Sequence, residues 1–261
     1  MNRSLIFVPA VEEKLNKITG LNADIAIIDL EDSISDEDKE SALERTCSFL
    51  KNCKSAKPIF VRLNSTRYVK ESEILCQFNI GFMLPKFESP NDYGLCETVW
   101  RNHQVIALIE TPRGLVNIEK IVSCDWVDAL AFGAEDYTAA VNMKNHPDML
   151  QYQKSILVTY AKAYSKKVYD TPSFSISDDV DFSYDVDNSA ALGFDGKMVI
   201  HPKQIEYVNN AFGCSDLGKL REIVEQYESS GKAVLVVDGR VYEKMHIKRI
   251  KKILAENEVN Q

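Results

Sequence analysis

Short apolar runs recur along this chain, and all but the first end in groups that can do chemistry. Glu31-Asp32, Arg62 with Asn64, Lys86, Glu110-Thr111, Glu135-Asp136, Asp170-Thr171 and His201 close successive runs, whereas the starts carry few charges. Carboxylates gathered at one rim repel and raise one another's pKa, a cost that a bound divalent cation relieves. The donors are oxygens, with no Cys/His pair at ligand spacing, so Mg²⁺ or Mn²⁺ suits them better than zinc. Glu110 and Asp136, ending adjacent runs, are the candidate metal ligands. Glu31 and Asp32 are placed to hold metal-bound waters in support of catalysis. Arg62 and Lys86 bring positive charge to a substrate carboxylate or a developing oxyanion. Taken singly, each has a structural reading: Asp32 as a cap for the following acidic helix, Lys86 as a surface lysine after Pro85, His201 as a structural residue before Pro202. The constellation carries the functional reading.

The elements that position these groups follow from the runs themselves, 4–10, 25–32, 58–64, 81–87, 105–111, 129–136, 168–174 and 196–202. Their starts lie roughly 21–39 residues apart, the room a strand–helix unit needs. They are apolar on both faces, as strands of a parallel sheet covered by helices are. Helical stretches lie between them, among them 36–50, with an acidic opening, and 151–166. Eight such units predict a (β/α)₈ barrel, an α/β fold of about 250 residues whose active site lies where the strands end. No GxGxxG or GxxxxGK[ST] loop argues for an open sheet. The expected division is a barrel domain over 1–212 and a short, largely helical appendage over 213–261, packing on the barrel or on a neighbouring subunit. Within it 203–212 and 217–229 read as helices, 232–239 as a strand and 243–256 as a basic helix.

A net charge of -8 disfavours nucleic acid and anionic membranes, which require a basic face. An anionic small molecule then depends on a few local cations, for which Arg3 and Lys86 are the candidates. No run approaches the ~18 apolar residues of a membrane span. Cys47, Cys53, Cys76, Cys96, Cys124 and Cys214 contain no CxxC pair, which suits reduced thiols in a cytoplasmic protein.

Eight segments, in order, carry a family resemblance: RSLIFVPA from Arg3, DLEDSI from Asp29, VRLN from Val61, LPKFESP from Leu84, LIETPRG from Leu108, FGAEDY from Phe132, GFDGKMVIHPKQ from Gly193 and VVDGRVYEKMHIKRIKKIL from Val236. Together they resemble the citrate lyase β-subunit-like branch of the HpcH/HpaI aldolase superfamily. The resemblance implies a metal-dependent barrel that makes or breaks carbon–carbon bonds in hydroxyacyl thioesters of coenzyme A or an acyl-carrier protein, assembled as a homo-oligomer, a trimer or hexamer. It implies that Glu110 and Asp136 bind Mg²⁺, that Arg62 contacts substrate oxygens, and that Glu31 and Asp32 support the metal waters. Gly133 and Ala134, in the same motif as Asp136, are expected to line the substrate.

The chain also departs from the family pattern. Glu243 stands where a catalytic Asp is usual in the C-terminal segment, displacing the carboxylate by about 1 Å or more. Lys154 replaces a usual Arg, and Ala10 a usual Gly. Two other readings stay open: an aldolase of free 2-keto acids using the same metal, and a barrel that binds ligand without turnover.

Overall fold

The computed structural model describes residues 2–93, 96–176, 180–213 and 217–258. Eight parallel strands close into a barrel in sequence order: β1 (Ser4–Pro9), β2 (Ile25–Asp29), β3 (Ile59–Arg62), β4 (Gly81–Leu84), β5 (Val105–Ile109), β6 (Ala129–Phe132), β7 (Lys167–Asp170) and β8 (Gly196–Val199). β1 shuts the ring against β8, with Leu5 opposite Met198. The expected (β/α)₈ barrel is the fold observed.

Side chains alternate across a strand, so every second residue faces the barrel axis. Leu5, Ile25, Ile27, Phe60, Met83, Ile106, Leu108, Ala129, Ala131, Tyr169 and Met198 form the interior cluster, with Phe7 half-buried against it. Large and small groups complement each other there: a Cβ on Gly81 would lie 2.2 Å from the Phe60 ring, so this position has to be glycine. One step further along the same rows, the next inward positions are Asp29, Arg62, Glu110, Gly133 and Thr171. A polar layer thus caps the apolar interior at the carboxyl ends of the strands.

The outward rows hold a second set of charges. Asp170 and Lys197 point away from the axis, to the helices Gln151–Ala163 and Val180–Leu192. Lys154 Nζ lies 2.8 Å from Asp170 and 3.3 Å from Asp185. Lys197 Nζ lies 3.0 Å from Asp170 and 2.8 Å from Asp185. Ser189 donates a further hydrogen bond to Asp170. All four charges are buried and they balance. Asp170, read from sequence with the groups of the rim, therefore belongs to the layer between strands and helices.

Residues 2–209 form one compact unit and 210–258 another. In the second, helix Leu217–Ser230, hairpin β9 (Val234–Val237) and β10 (Arg240–Glu243), and helix Lys244–Glu258 share a small core of Ile223, Val224, Ile247 and Ile250. The expected single strand is a hairpin. Asp238 and Gly239 take φ of 50° and 76°, the pair of left-handed residues that a tight two-residue turn needs. Glu243, expected to open the last helix, instead ends β10. Among the described residues no helix is long and apolar enough to cross a membrane.

Because removing one member of a buried charge network strands its partners, Lys197→Met is expected to cost about 3–5 kcal/mol. Urea unfolding checks this, and a loss below about 1 kcal/mol would show the network to be dispensable.

Candidate active site

Asp29, Arg62 and Glu110 continue apolar inward rows, so all three reach the barrel mouth on rigid strand ends. Arg62 Nε and Nη2 donate to the two oxygens of Asp29 at 2.7 and 2.8 Å. Arg62 Nη1 lies 2.9 Å from Asp32 and 3.7 Å from Glu31, and its guanidinium sits over Phe7, 4.9 Å from the ring centre. Burial opposes the charge on Arg62, but the bonds to Asp29 outweigh it and raise the pKa. In return Arg62 outweighs burial at Asp29 and lowers the carboxyl's pKa. The pair is a fixed, fully ionised fork.

Glu110 is almost fully buried beside it. Its Oε1 accepts the backbone N–H of Lys86 at 2.7 Å. Burial, followed by the charge of Glu31, pushes its pKa up to about 8. Gly133 makes this placement possible, because a Cβ there would lie 2.4 Å from Glu110 Oε2. Glu31, one residue off the inward row and buried, has a raised pKa, chiefly from burial. Neither of its carboxylate oxygens has a hydrogen-bond partner. Asp136 lies in the first turn of helix Ala134–Ala140, half exposed. Lys86 Nζ stands 3.6 Å from Asp136 and 3.7 Å from Glu31, bringing the acidic groups to one place.

The structure thus gathers Glu31, Asp32, Arg62, Lys86, Glu110 and Asp136. The other groups named from sequence have partners of their own. Arg3 precedes β1, at the opposite rim, and pairs with Asp24 at 2.9 Å, so it cannot meet a ligand at the mouth. Gly133 and Ala134 offer no amide to a substrate: Gly133 N–H goes to Ile109 O and Ala134 N–H to Thr171 Oγ1. Gly133 also admits Glu110, and Ala134 opens the helix that carries Asp136. Thr111 caps helix Pro112–Val116, while the Asn64 side chain closes its own turn onto Thr66. His201 Nδ1 accepts from Lys203 N at the start of the next helix. Glu243 lies exposed on β10 in the second unit, its N–H bonded to His246. Asp29 was missed from sequence, although its period-two spacing from Ile25 and Ile27 marks it.

Among the described residues no three Asp, Glu, His or Cys side chains cage an ion by themselves. Mg²⁺ takes one or two protein carboxylates and fills its octahedron with water and substrate oxygens, so Glu110 and Asp136 would suffice as its protein ligands. Glu31, buried with Arg62 and Lys86 each 3.7 Å away, and Glu110, with its raised pKa, are oxygen donors whose chemistry fits such an ion.

The HpcH/HpaI aldolase/citrate lyase family model matches residues 3–202. The chain belongs to this family, in its citrate lyase β-subunit-like branch. A (3S)-malyl-CoA thioesterase of Cereibacter sphaeroides is 27% identical over 98% of this chain and 94% of its own length. The human mitochondrial citramalyl-CoA lyase is 29% identical over 82% of this chain and 71% of its own. A citrate lyase β subunit of M. tuberculosis, solved with oxaloacetate and magnesium, superposes with a TM-score of 0.69 at 26% identity, covering 81% of this chain and 96% of that one.

Glu110 and Glu71, the latter buried and pushed up to about 7, both hold a proton in the folded chain that the unfolded chain releases near its ordinary value of 4.5. Their stabilising contribution is full below pH 4.5 and is lost as pH rises through about 7 to 8. In chelator, the melting temperature is expected to fall by several degrees between pH 6 and 8.5. Glu110→Gln should remove about 1–3 kcal/mol of that slope. An identical slope in the variant would mean that Glu110 ionises normally.

Proposed function

We propose that this chain is a Mg²⁺-dependent carbon–carbon lyase or synthase acting on a hydroxyacyl thioester, with coenzyme A as carrier. The observation that carries this is the fixed Asp29–Arg62 fork beside the buried carboxyls of Glu31 and Glu110, at the mouth of a barrel of this family. The names of the relatives support a coenzyme A thioester, and the solved neighbour's oxaloacetate and magnesium support a metal-assisted keto acid site.

Glu110 and Asp136 would hold Mg²⁺, with Glu31 and Asp32 facing its waters; Mn²⁺ would suit the same oxygens. When bound, the ion supplies Lewis-acid polarisation of the keto or hydroxy acid. Arg62 does the rest of the electrostatic work. Two of its nitrogens are held by Asp29, so Nη1 is the one aimed at ligand, where a substrate carboxylate would displace the exposed Asp32. In cleavage, a base takes the hydroxyl proton, the carbon–carbon bond breaks, and the electron pair leaves on the thioester enolate, which is then protonated. Arg62 stabilises the charge on oxygen.

Glu243 is the proposed acid/base carboxylate. It lies on an outward face of the hairpin with the exposed Val234, Val236 and Val241. That face suits donation to a neighbouring copy in a trimer or hexamer. The free cysteines Cys47, Cys53, Cys76, Cys96 and Cys124 fit the reducing cytoplasm where such an enzyme would work, and Cys214 lies outside the described residues.

The test begins with calorimetric titration of oxaloacetate, pyruvate and glyoxylate with and without Mg²⁺. Wild type is expected to bind a keto acid only with Mg²⁺, and Glu110→Gln not at all. Malyl-CoA and citramalyl-CoA are then supplied. Release of a 2-keto acid with an acyl-CoA supports the lyase; release of the free hydroxy acid with coenzyme A would make the chain a thioesterase. Glu243→Gln should keep keto acid binding and lose at least about 100-fold in turnover. Unchanged turnover would remove Glu243 from the mechanism and favour the aldolase of free keto acids.

A further inference from the structure

Lysine is rarely buried, because its ammonium has to find acceptors and a counter-charge inside the protein. Lys39 opens helix Lys39–Asn52 and is nonetheless buried. Its side chain reaches back across the loop that follows β2 and donates to two backbone carbonyls, Leu30 O at 3.2 Å and Glu31 O. Both carbonyls lie past Asp29, the last residue of β2, so they draw donors from outside the sheet. The amides of the same turn are held from the other side. Leu30 N–H bonds Arg62 O at 3.1 Å, Glu31 N–H bonds Asp29 Oδ1 at 3.0 Å and Ser33 N–H bonds Asp29 Oδ2 at 3.1 Å. The peptide groups on both sides of Glu31 are thereby fixed. Its carboxylate is gripped less closely, since Arg62 Nη1 and Lys86 Nζ each stand 3.7 Å away. The direction in which Glu31 points is therefore set largely by its backbone. Glu71, buried in helix Tyr68–Leu75, shares the field of Lys39: burial raises its pKa and the ammonium works against that rise. Glu71 Oε2 in turn accepts Asn64 N–H at 2.7 Å, two residues beyond Arg62.

We infer that Lys39 is a positioning residue of the mouth: by clasping the Leu30 and Glu31 carbonyls it fixes the turn after β2, and through that turn the direction of the Glu31 carboxylate toward ligand. This rests on the proposed reading of Glu31 as part of the ligand site and adds the group that sets its place. Lys39 acts through Glu31 alone, its ammonium being engaged by backbone carbonyls. Removing it leaves two carbonyls without their donor, and the turn that carries Glu31 loses one of the two sides that hold it.

Two measurements test it. Hydrogen exchange with peptide mapping, without ligand, reads the clasp itself. In Lys39→Met the amides of 30–34 should exchange about tenfold faster than in wild type, relative to those of β5. Leu43→Ala, a core truncation one turn along the same helix, should leave that ratio unchanged. Lys39→Gln, which keeps a donor, should fall between the two, and it carries the test if Lys39→Met does not fold. Calorimetry reads the consequence, with oxaloacetate, pyruvate and glyoxylate titrated in the presence of Mg²⁺. Lys39→Met should weaken keto acid binding about tenfold, and in a Glu31→Gln background by less than about twofold, as residues acting as one unit do. Leu43→Ala should bind as wild type. An unchanged exchange ratio over 30–34, or equal losses of affinity in the two backgrounds, overturns the inference and leaves the proposed function standing. No keto acid binding by wild type overturns the proposed function, and with it the bearing of Lys39 on ligand.

Discussion

Arg62 and Asp29 meet fork to fork between neighbouring strands, at the level where the barrel interior changes from apolar to polar, and the other rim groups are arranged about that pair. A buried guanidinium is tolerable only with its charge matched and its donors satisfied. Asp29 does both from the adjacent strand, through a register that sets it opposite Arg62. Once the fork is locked, Arg62 keeps only Nη1 for Asp32 and Glu31, and burial still raises the pKa of Glu31 and Glu110. A cation at the mouth would stabilise the charged form of both.

Barrel and site were legible in the sequence to different depths. The eight runs and their charged ends predicted the strands and the rim, because a parallel barrel imposes both at once. Which face a strand-end residue takes was harder to read. Asp29 looked like part of an apolar run and Asp170 like part of the rim, yet the first faces the axis and the second the helices. Strand boundaries are uncertain by a residue or so, and one residue reverses the face. Lys197 is a cation inside an apolar strand, and its partners lie on the neighbouring strand β7 and on helix Val180–Leu192, out of reach of local patterning. Arg3 shows another limit: a cation near a strand is useful only at the correct end of it. The second hairpin strand, Arg240–Glu243, escaped because it is short, mostly exposed and charged at both ends.

The two faces of β7 connect the outer network to the rim. Asp170, facing out, is held by Lys154, Lys197 and Ser189. Thr171, the next residue, faces in and accepts the Ala134 N–H at the start of the helix bearing Asp136. The buried charges around Asp170 are thus part of what keeps a candidate ligand at its post, although none of them touches the mouth. Strand ends fixed in this way hold a constellation more accurately than loops do.

The alternation of inward and outward rows also determines which kinds of sequence drift this protein can survive. Replacing one apolar interior residue by another perturbs packing locally. Losing a single residue within β2 changes composition hardly at all, yet it carries Leu30 to the mouth and turns the carboxylate that secures Arg62 toward the helices. A one-residue deletion in a strand therefore breaks the site where an apolar substitution would not, and the length changes that leave the register intact are those in the connecting loops.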